Sequence, residues 1–263
     1  MQVSITQKDH WVNTPYGQVF ARSWHPHNEE PAQNKAPIIL FHDSLGCVEL
    51  WRDFPTRLAK ATRRCVVAYD RLGFGQSDPH PGDWSYHFIR EEAQRYFPFV
   101  RSSLGIDCFI AFGHSVGGAM ATNCAALFPE QCLALVTESA QAFVEERTVS
   151  GVRSAKEQFQ QPGQIERLQK YHGDKAQWVL NAWTQTWLSP SYADWSIEKG
   201  LPTIQCPLLV IHGAEDEFGS TLHPQRFANL ARKEVELLIL SDCQHVPHRE
   251  KPESVIDAVG RLL

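Results

Sequence analysis

Residues 37–42 and 65–69 are short, almost unbroken apolar runs, and each is followed by polar, turn-forming positions. Such a run, without alternation, is the pattern of a strand buried on both faces. It returns over 108–112, 133–137 and 208–211, and residues 18–24 and 235–240 read as further strands. A turn-rich stretch is expected over 25–35. Helices are expected over 50–61, 90–104, 116–128, near 224–232 and over 253–263. Strand and helix thus alternate, which predicts a mainly parallel sheet with helices on both faces. From about 144 to 201 the strand pattern stops and helical segments dominate. The expected organisation is one α/β core, residues 1–143 and 202–263, interrupted by a helical cap at 144–201. No internal repeat is visible.

Bulk properties narrow the reading. A length of 263 residues suits one large sheet, and 43% hydrophobic residues suffice for a full core. The net charge of −5, with no local run of Lys and Arg, argues against a nucleic-acid partner. The first residues lack the apolar centre of a signal peptide, and the longest apolar runs are strand-sized. The expectation is a cytoplasmic protein with no membrane segment. Seven cysteines are scattered without a CxxC pair, so neither a zinc site nor a redox motif is expected.

The strongest chemical signal is Gly113-His114-Ser115-Val116-Gly117, placed between a strand and a helix rich in small residues. A tight strand-to-helix turn strains the backbone at its centre, and flanking glycines remove Cβ atoms that would collide. Such a turn lifts a hydroxyl above the sheet and aims a helix N-terminus at the reacting oxygen. The structural alternative is a serine capping a helix after a glycine turn. By contrast, the glycines of 70–77 carry no phosphate-loop reading, because no Lys-Ser/Thr follows them.

With Phe41-His42-Asp43-Ser44-Leu45-Gly46, Asp70-Arg71-Leu72-Gly73-Phe74-Gly75-Gln76-Ser77, His212-Gly213-Ala214-Glu215-Asp216 and His245 ahead of Glu250-Lys251-Pro252, the chain resembles the α/β-hydrolase superfamily. Within it, the nearest resemblance is to small-ester hydrolases of the valacyclovir-hydrolase type. The resemblance implies a mostly parallel eight-stranded sheet flanked by helices, with the cap inserted after strand 6. It implies Ser115 as nucleophile, His245 as base and Asp216 as the acid, in the chain order of this fold. His248 is the rival base. Glu215, Glu217 and Glu138 are rival acids, Glu138 because some members carry the acid after strand 6. Asp70 and Arg71 are expected to tie loops near the site.

An oxyanion needs donors fixed in advance. One is expected from the backbone N–H of Val116. The resemblance implies that the second is the N–H of Ser44. Asp43 and Gln244 stand where the family often has glycine. Asp43 is read as a loop aspartate bonding its own backbone, the alternative being a negative charge at the pocket.

Val179, Trp183 and Trp187 share a helical face. Phe143, Trp183, Trp187 and Val246 are the candidate pocket lining, an apolar roof suited to a small or medium acyl or alcohol group. Val116 stands where members acting on amino-acid esters can carry an acid, so that specificity is not expected. No cofactor is expected. A metal site is not expected either, because His245 and His248 lack helix context and ligand partners at standard spacing. The function read from this is hydrolysis of a carboxylic ester, a lactone or thioester being variants, with a homodimer left open. A lyase or perhydrolase using the same residues, or a binding protein with little turnover, is the alternative.

Overall fold

The computed structural model describes residues 3–27, 35–82, 84–198 and 201–263. Eight strands, β1 (Ser4–Thr14), β2 (Gly17–His27), β3 (Ile38–Phe41), β4 (Val66–Tyr69), β5 (Phe109–His114), β6 (Cys132–Glu138), β7 (Leu208–Gly213) and β8 (Val235–Leu240), form one sheet. Their spatial order is β1-β2-β4-β3-β5-β6-β7-β8. β1 and β2 run antiparallel to their neighbours, and every pairing from β4 to β8 is parallel.

Burial explains the continuous apolar runs. Along β5, Phe109 and Ala111 enter one core while Ile110 and Phe112 enter the other. β3 does the same with Ile39 and Phe41 against Ile38 and Leu40. Because side chains alternate across a strand, two covered faces demand apolar residues at every position. Helices α1 (Phe54–Thr62), α2 (Phe88–Glu91), α3 (Phe97–Ser103), α4 (Val116–Leu127), α5 (Glu146–Gln158), α6 (Gln164–His172), α7 (Ala176–Trp187), α8 (Leu222–Leu230), α9 (Pro247–Glu250) and α10 (Pro252–Leu262) complete the order. Phe54 and Leu58 of α1 and Val255 and Val259 of α10 cover one face; Phe97 of α3 and Ala119 and Met120 of α4 cover the other.

Three local expectations change. β1 carried no signal because it is a sheet edge: of its eleven residues only Val12 is buried, and it is held by backbone pairing with β2 rather than by an apolar face. The helix expected over 50–61 is a 3₁₀ turn, Val48–Trp51, followed by α1, because Arg52 takes a left-handed φ of 54°. The helix expected over 90–104 widens into a π-helical stretch at Glu92–Tyr96, just before Pro98, which cannot donate a backbone hydrogen bond. Most of the expected turn-rich stretch at 25–35 lies outside the described residues; its first positions extend β2.

Between β6 and β7 the described chain is helical, with α5, α6 and α7 and short 3₁₀ turns. Two contacts tie this segment to loops at the C-terminal ends of the strands. His172 accepts a hydrogen bond from Gly75 N (2.8 Å) and lies 3.0 Å from Leu45 O. Thr148 donates to Phe218 O (2.7 Å). No described helix is long and apolar enough to cross a membrane.

A Cβ on Gly117 would lie 2.1 Å from Phe41 O, and neither β3 nor α4 has room to yield. Gly117→Ala is therefore expected to lower stability by about 1–3 kcal/mol, read as a lower urea midpoint with an unchanged slope. A melt matching the parent would refute this account of the β3–α4 contact.

Candidate active site

β5 runs straight into Ser115, and α4 starts at the next residue. Ser115 holds φ 55° and ψ −126°, a conformation that L residues rarely adopt. Three features sustain it. Ser115 N donates to Glu138 O (2.8 Å), Gly118 N donates to Ser115 O (2.9 Å), and Gly113 lets α4 pass where a Cβ would lie 2.1 Å from Gly117 O. The hydroxyl consequently stands at the C-terminal end of the central strands, where the loops after β3, β6, β7 and β8 meet.

His245 lies in the loop after β8, and its Nε2 is 3.0 Å from Ser115 Oγ. On the other side, its Nδ1 lies 2.8 Å from both carboxylate oxygens of Asp216. Asp216 follows β7 and is fully buried. Its Oδ1 also accepts from Phe218 N (2.8 Å) and Gly219 N (3.1 Å), which fixes the carboxylate before the imidazole arrives. Burial pushes the His245 pKa down, but the adjacent Asp216 outweighs it and the net direction is up. Burial likewise pushes Asp216 up, and His245 reverses that to leave it lowered. The pair favours a carboxylate beside an imidazole whose second nitrogen faces Ser115 Oγ.

None of the rivals contacts His245 as Asp216 does, although Glu217 lies exposed at the edge of the cavity. Glu215 is exposed. Glu138 and His248 are buried with each other, Oε2 to Nδ1 at 2.6 Å. His248 also corrects an expectation. It sits in α9, and its ligand atom lies within 4.8 Å of ligand atoms on His114 and Glu138, so it does have helix context and partners in space. Sequence spacing could not reveal this, because the three come from β5, β6 and α9. Two of the nitrogens are already engaged, however: His248 Nδ1 with Glu138, and His114 Nε2 with His245 O at 2.8 Å. Glu138 and His248 thus form one hydrogen-bonded pair, and His114 packs beside it while bonding the backbone of His245.

The two expected donors lie on the segments that flank Ser115 and the cavity. Val116 is the first residue of α4, so its N–H has no partner within the helix. Ser44 borders the cavity beside Ser115. Arg71 holds this loop by donating to Asp43 O (2.8 Å) and His42 O (3.3 Å), while Asp70 accepts from Val48 N (2.6 Å) and Gln76 N (2.7 Å). The tying role expected for both is what they perform. The reading of Asp43 is corrected: among the described residues its carboxylate makes no hydrogen bond and instead borders the cavity.

That cavity measures about 170 Å³ and holds Ser115 and His245 in its wall. Trp183, Trp187 and Val246 line it as expected. Phe143 does not. Its ring lies 4.4 Å from that of His223, with Arg226 above it at 5.5 Å, and its backbone bridges to Ser196, which turns it away.

A family model described as the alpha/beta hydrolase fold matches residues 36–252. The chain belongs to the α/β-hydrolase family. Among curated relatives of this α/β-hydrolase, serine hydrolase BPHL of Mus musculus is 25% identical over 213 residues, 76% of this chain and 69% of that one. A (lyso)-N-acylphosphatidylethanolamine lipase of Bos taurus is 29% identical over 104 residues, 40% of this chain and 30% of that one. Solved structures agree on the fold. Proline iminopeptidase of Mycobacterium smegmatis has a TM-score of 0.73 at 20% identity, covering 97% of both chains. Carboxylesterase CesB of Bacillus subtilis has a TM-score of 0.71 at 18% identity, covering 98% of this chain and 91% of that one.

Some of this α/β-hydrolase's site carried no sequence signal. Gln141 is buried, and its Oε1 lies 3.4 Å from Ser115 Oγ. The backbone at Ser139, with φ 48°, precedes it, and nothing in an isolated glutamine marks such a turn. Phe218, whose ring lies 4.9 Å from that of His245, was signalled only by its place two residues after Asp216. Since His245 is held up chiefly against burial by Asp216, its ring should titrate above an ordinary imidazole in NMR, and Asp216→Asn should bring it below. An unmoved titration in that variant would contradict the pairing.

Proposed function

We propose that this protein is a serine hydrolase that cleaves small carboxylic esters through an acyl-Ser115 intermediate. The observation that carries the reading is the unbroken relay from Asp216 through His245 to Ser115, opening on one partly open cavity. As Ser115 Oγ attacks the ester carbonyl carbon, its proton passes to His245 Nε2. The carbonyl π electrons move onto oxygen, and the N–H groups of Val116 and Ser44 receive that charge. Collapse expels the alkoxide, which takes the proton from His245. A water then gives its proton to His245 and attacks the acyl carbon, releasing the acid and restoring Ser115.

The cavity supports a small acyl group, since 170 Å³ is about the volume of six waters. Trp183, Trp187 and Phe218 supply apolar walls that keep bulk water from the acyl-enzyme. In this reading, residues 144–201 form the cap and residues 1–143 and 202–263 the core. The relatives named as a serine hydrolase and a carboxylesterase lend further support.

Ser115→Ala should stay folded and lose activity on p-nitrophenyl acetate by about 10³–10⁶-fold, and a fluorophosphonate should label Ser115 in the parent alone. Parent-level turnover by the variant would end the proposal. On a graded series of p-nitrophenyl esters, Trp187→Ala should shift the preferred acyl chain to longer lengths. A series with no length preference in either protein would show that the cavity does not hold the acyl group.

A further inference from the structure

We infer that Glu138 and His248, together with His114, form a buried positioning unit that holds the imidazole of His245 over Ser115. The inference rests on the reading of Ser115 and His245 as nucleophile and base. Glu138 is the last residue of β6 and touches both halves of the site. Its carbonyl accepts from Ser115 N at 2.8 Å, and its carboxylate meets His248 Nδ1 at 2.6 Å. His248 lies three residues beyond His245, in the first turn of α9, so the carboxylate anchors the end of the base loop. His114, the residue before the nucleophile, donates from Nε2 to His245 O at 2.8 Å. The ring of His114 stands 5.0 Å from that of His248 and 5.1 Å from that of His245, so it fills the space between them.

The unit is costly to bury, which separates it from ordinary packing. Glu138 is 0%, His114 3% and His248 4% exposed, and the rings of Trp51 and Phe54 lie tilted against His248 at 4.7 and 5.3 Å. One carboxylate oxygen, Oε1, has no partner at all among the described residues. A buried carboxyl with a spare oxygen destabilises the fold unless it is retained for position or charge. A leucine and a phenylalanine would fill this space more stably, but they would let the loop slide relative to the elbow.

The charge has a direction. Burial raises Glu138 to about 7 and lowers His248 to about 3 and His114 to about 4. Glu138 faces His114 on β5, and His245, His248 and Arg249 beyond β8. Asp43 and Arg52 face His248, and Asp216, Glu217 and Asp43 face His245. When Glu138 is ionised, its negative charge favours protonated His245. A neutral residue in its place lowers the pH at which His245 becomes free to accept a proton.

Two variants in the full chain test this, read by the rate of fluorophosphonate labelling of Ser115 across pH and by kcat and KM on p-nitrophenyl acetate. Glu138→Gln keeps an acceptor for His248 and removes the charge. The acid limb of the labelling profile should move down by a few tenths to about one pH unit. The double variant Glu138→Leu, His248→Phe should lower kcat by about tenfold or more with KM unchanged. Parent-like pH profile and kcat in folded Glu138→Gln and double variants would overturn the inference, as would a profile shifted upward. If the double variant does not fold, the acid limb of Glu138→Gln decides alone. Stoichiometric zinc in the purified parent would also overturn it, because the trio would then be a metal site. A parent that fails to label at Ser115 defeats the proposed function itself, and this inference with it.

Discussion

An L residue at φ 55° costs free energy, on the order of 1–3 kcal/mol, and Ser115 can hold that conformation only because the surrounding structure leaves it no other. β5 is hydrogen-bonded on both sides, to β3 and β6, so the strand cannot retreat. α4 must start at once because its first turn packs on the same sheet, with Gly117 against Phe41 O. Ser115 is thus squeezed between two rigid elements. Relaxing the turn would move α4 and, through Met120 and Ala119, the core beneath it.

Position in the sheet does the rest. Parallel strands end on the same edge, so the loops after β3, β6, β7 and β8 arrive together without any of them being long. Each brings one group to Ser115: Ser44, Gln141, the carboxylate of Asp216 by way of His245, and the imidazole of His245. Secondary ties keep these loops in register. Arg71 clamps the loop after β3, and Arg147 of α5 donates to Asp216 O at 3.1 Å. The helical segment between β6 and β7 is therefore bound to the loops it covers, and its motion would be felt at Asp216.

This division explains what could be read from the chain alone. Buried parallel strands announce themselves because both faces demand apolar side chains, so β3 to β7 were legible to within two residues. β1 was not, because backbone pairing at a sheet edge asks little of side chains. The meeting of Ser115, His245 and Asp216 was legible because the proposed relay demands particular chemistry at particular loop positions. Gln141 and the Glu138–His248 pair were not, because their meaning lies in distances between elements far apart in sequence. Phe143 misled for a related reason. An aromatic just past β6 can face the cavity or the neighbouring helix, and the outcome depends on His223, eighty residues later.

The acidic rim of the cavity poses an electrostatic question that magnitudes settle. Asp43 and Glu217 both border the space where an oxyanion would form, and neither is paired among the described residues. Their charge opposes that oxyanion. It also raises His245, making it a stronger base. Glu217 is exposed and Asp43 partly so, which lets water screen them to about 1 kcal/mol at a few ångströms. A fixed backbone donor in an enclosed site contributes about 3–4 kcal/mol to the transition state. Under the proposed mechanism, two such donors would outweigh two screened carboxylates, and the gain at His245 would be retained. Only a dipole that cannot turn away holds its strength beside a competing negative charge.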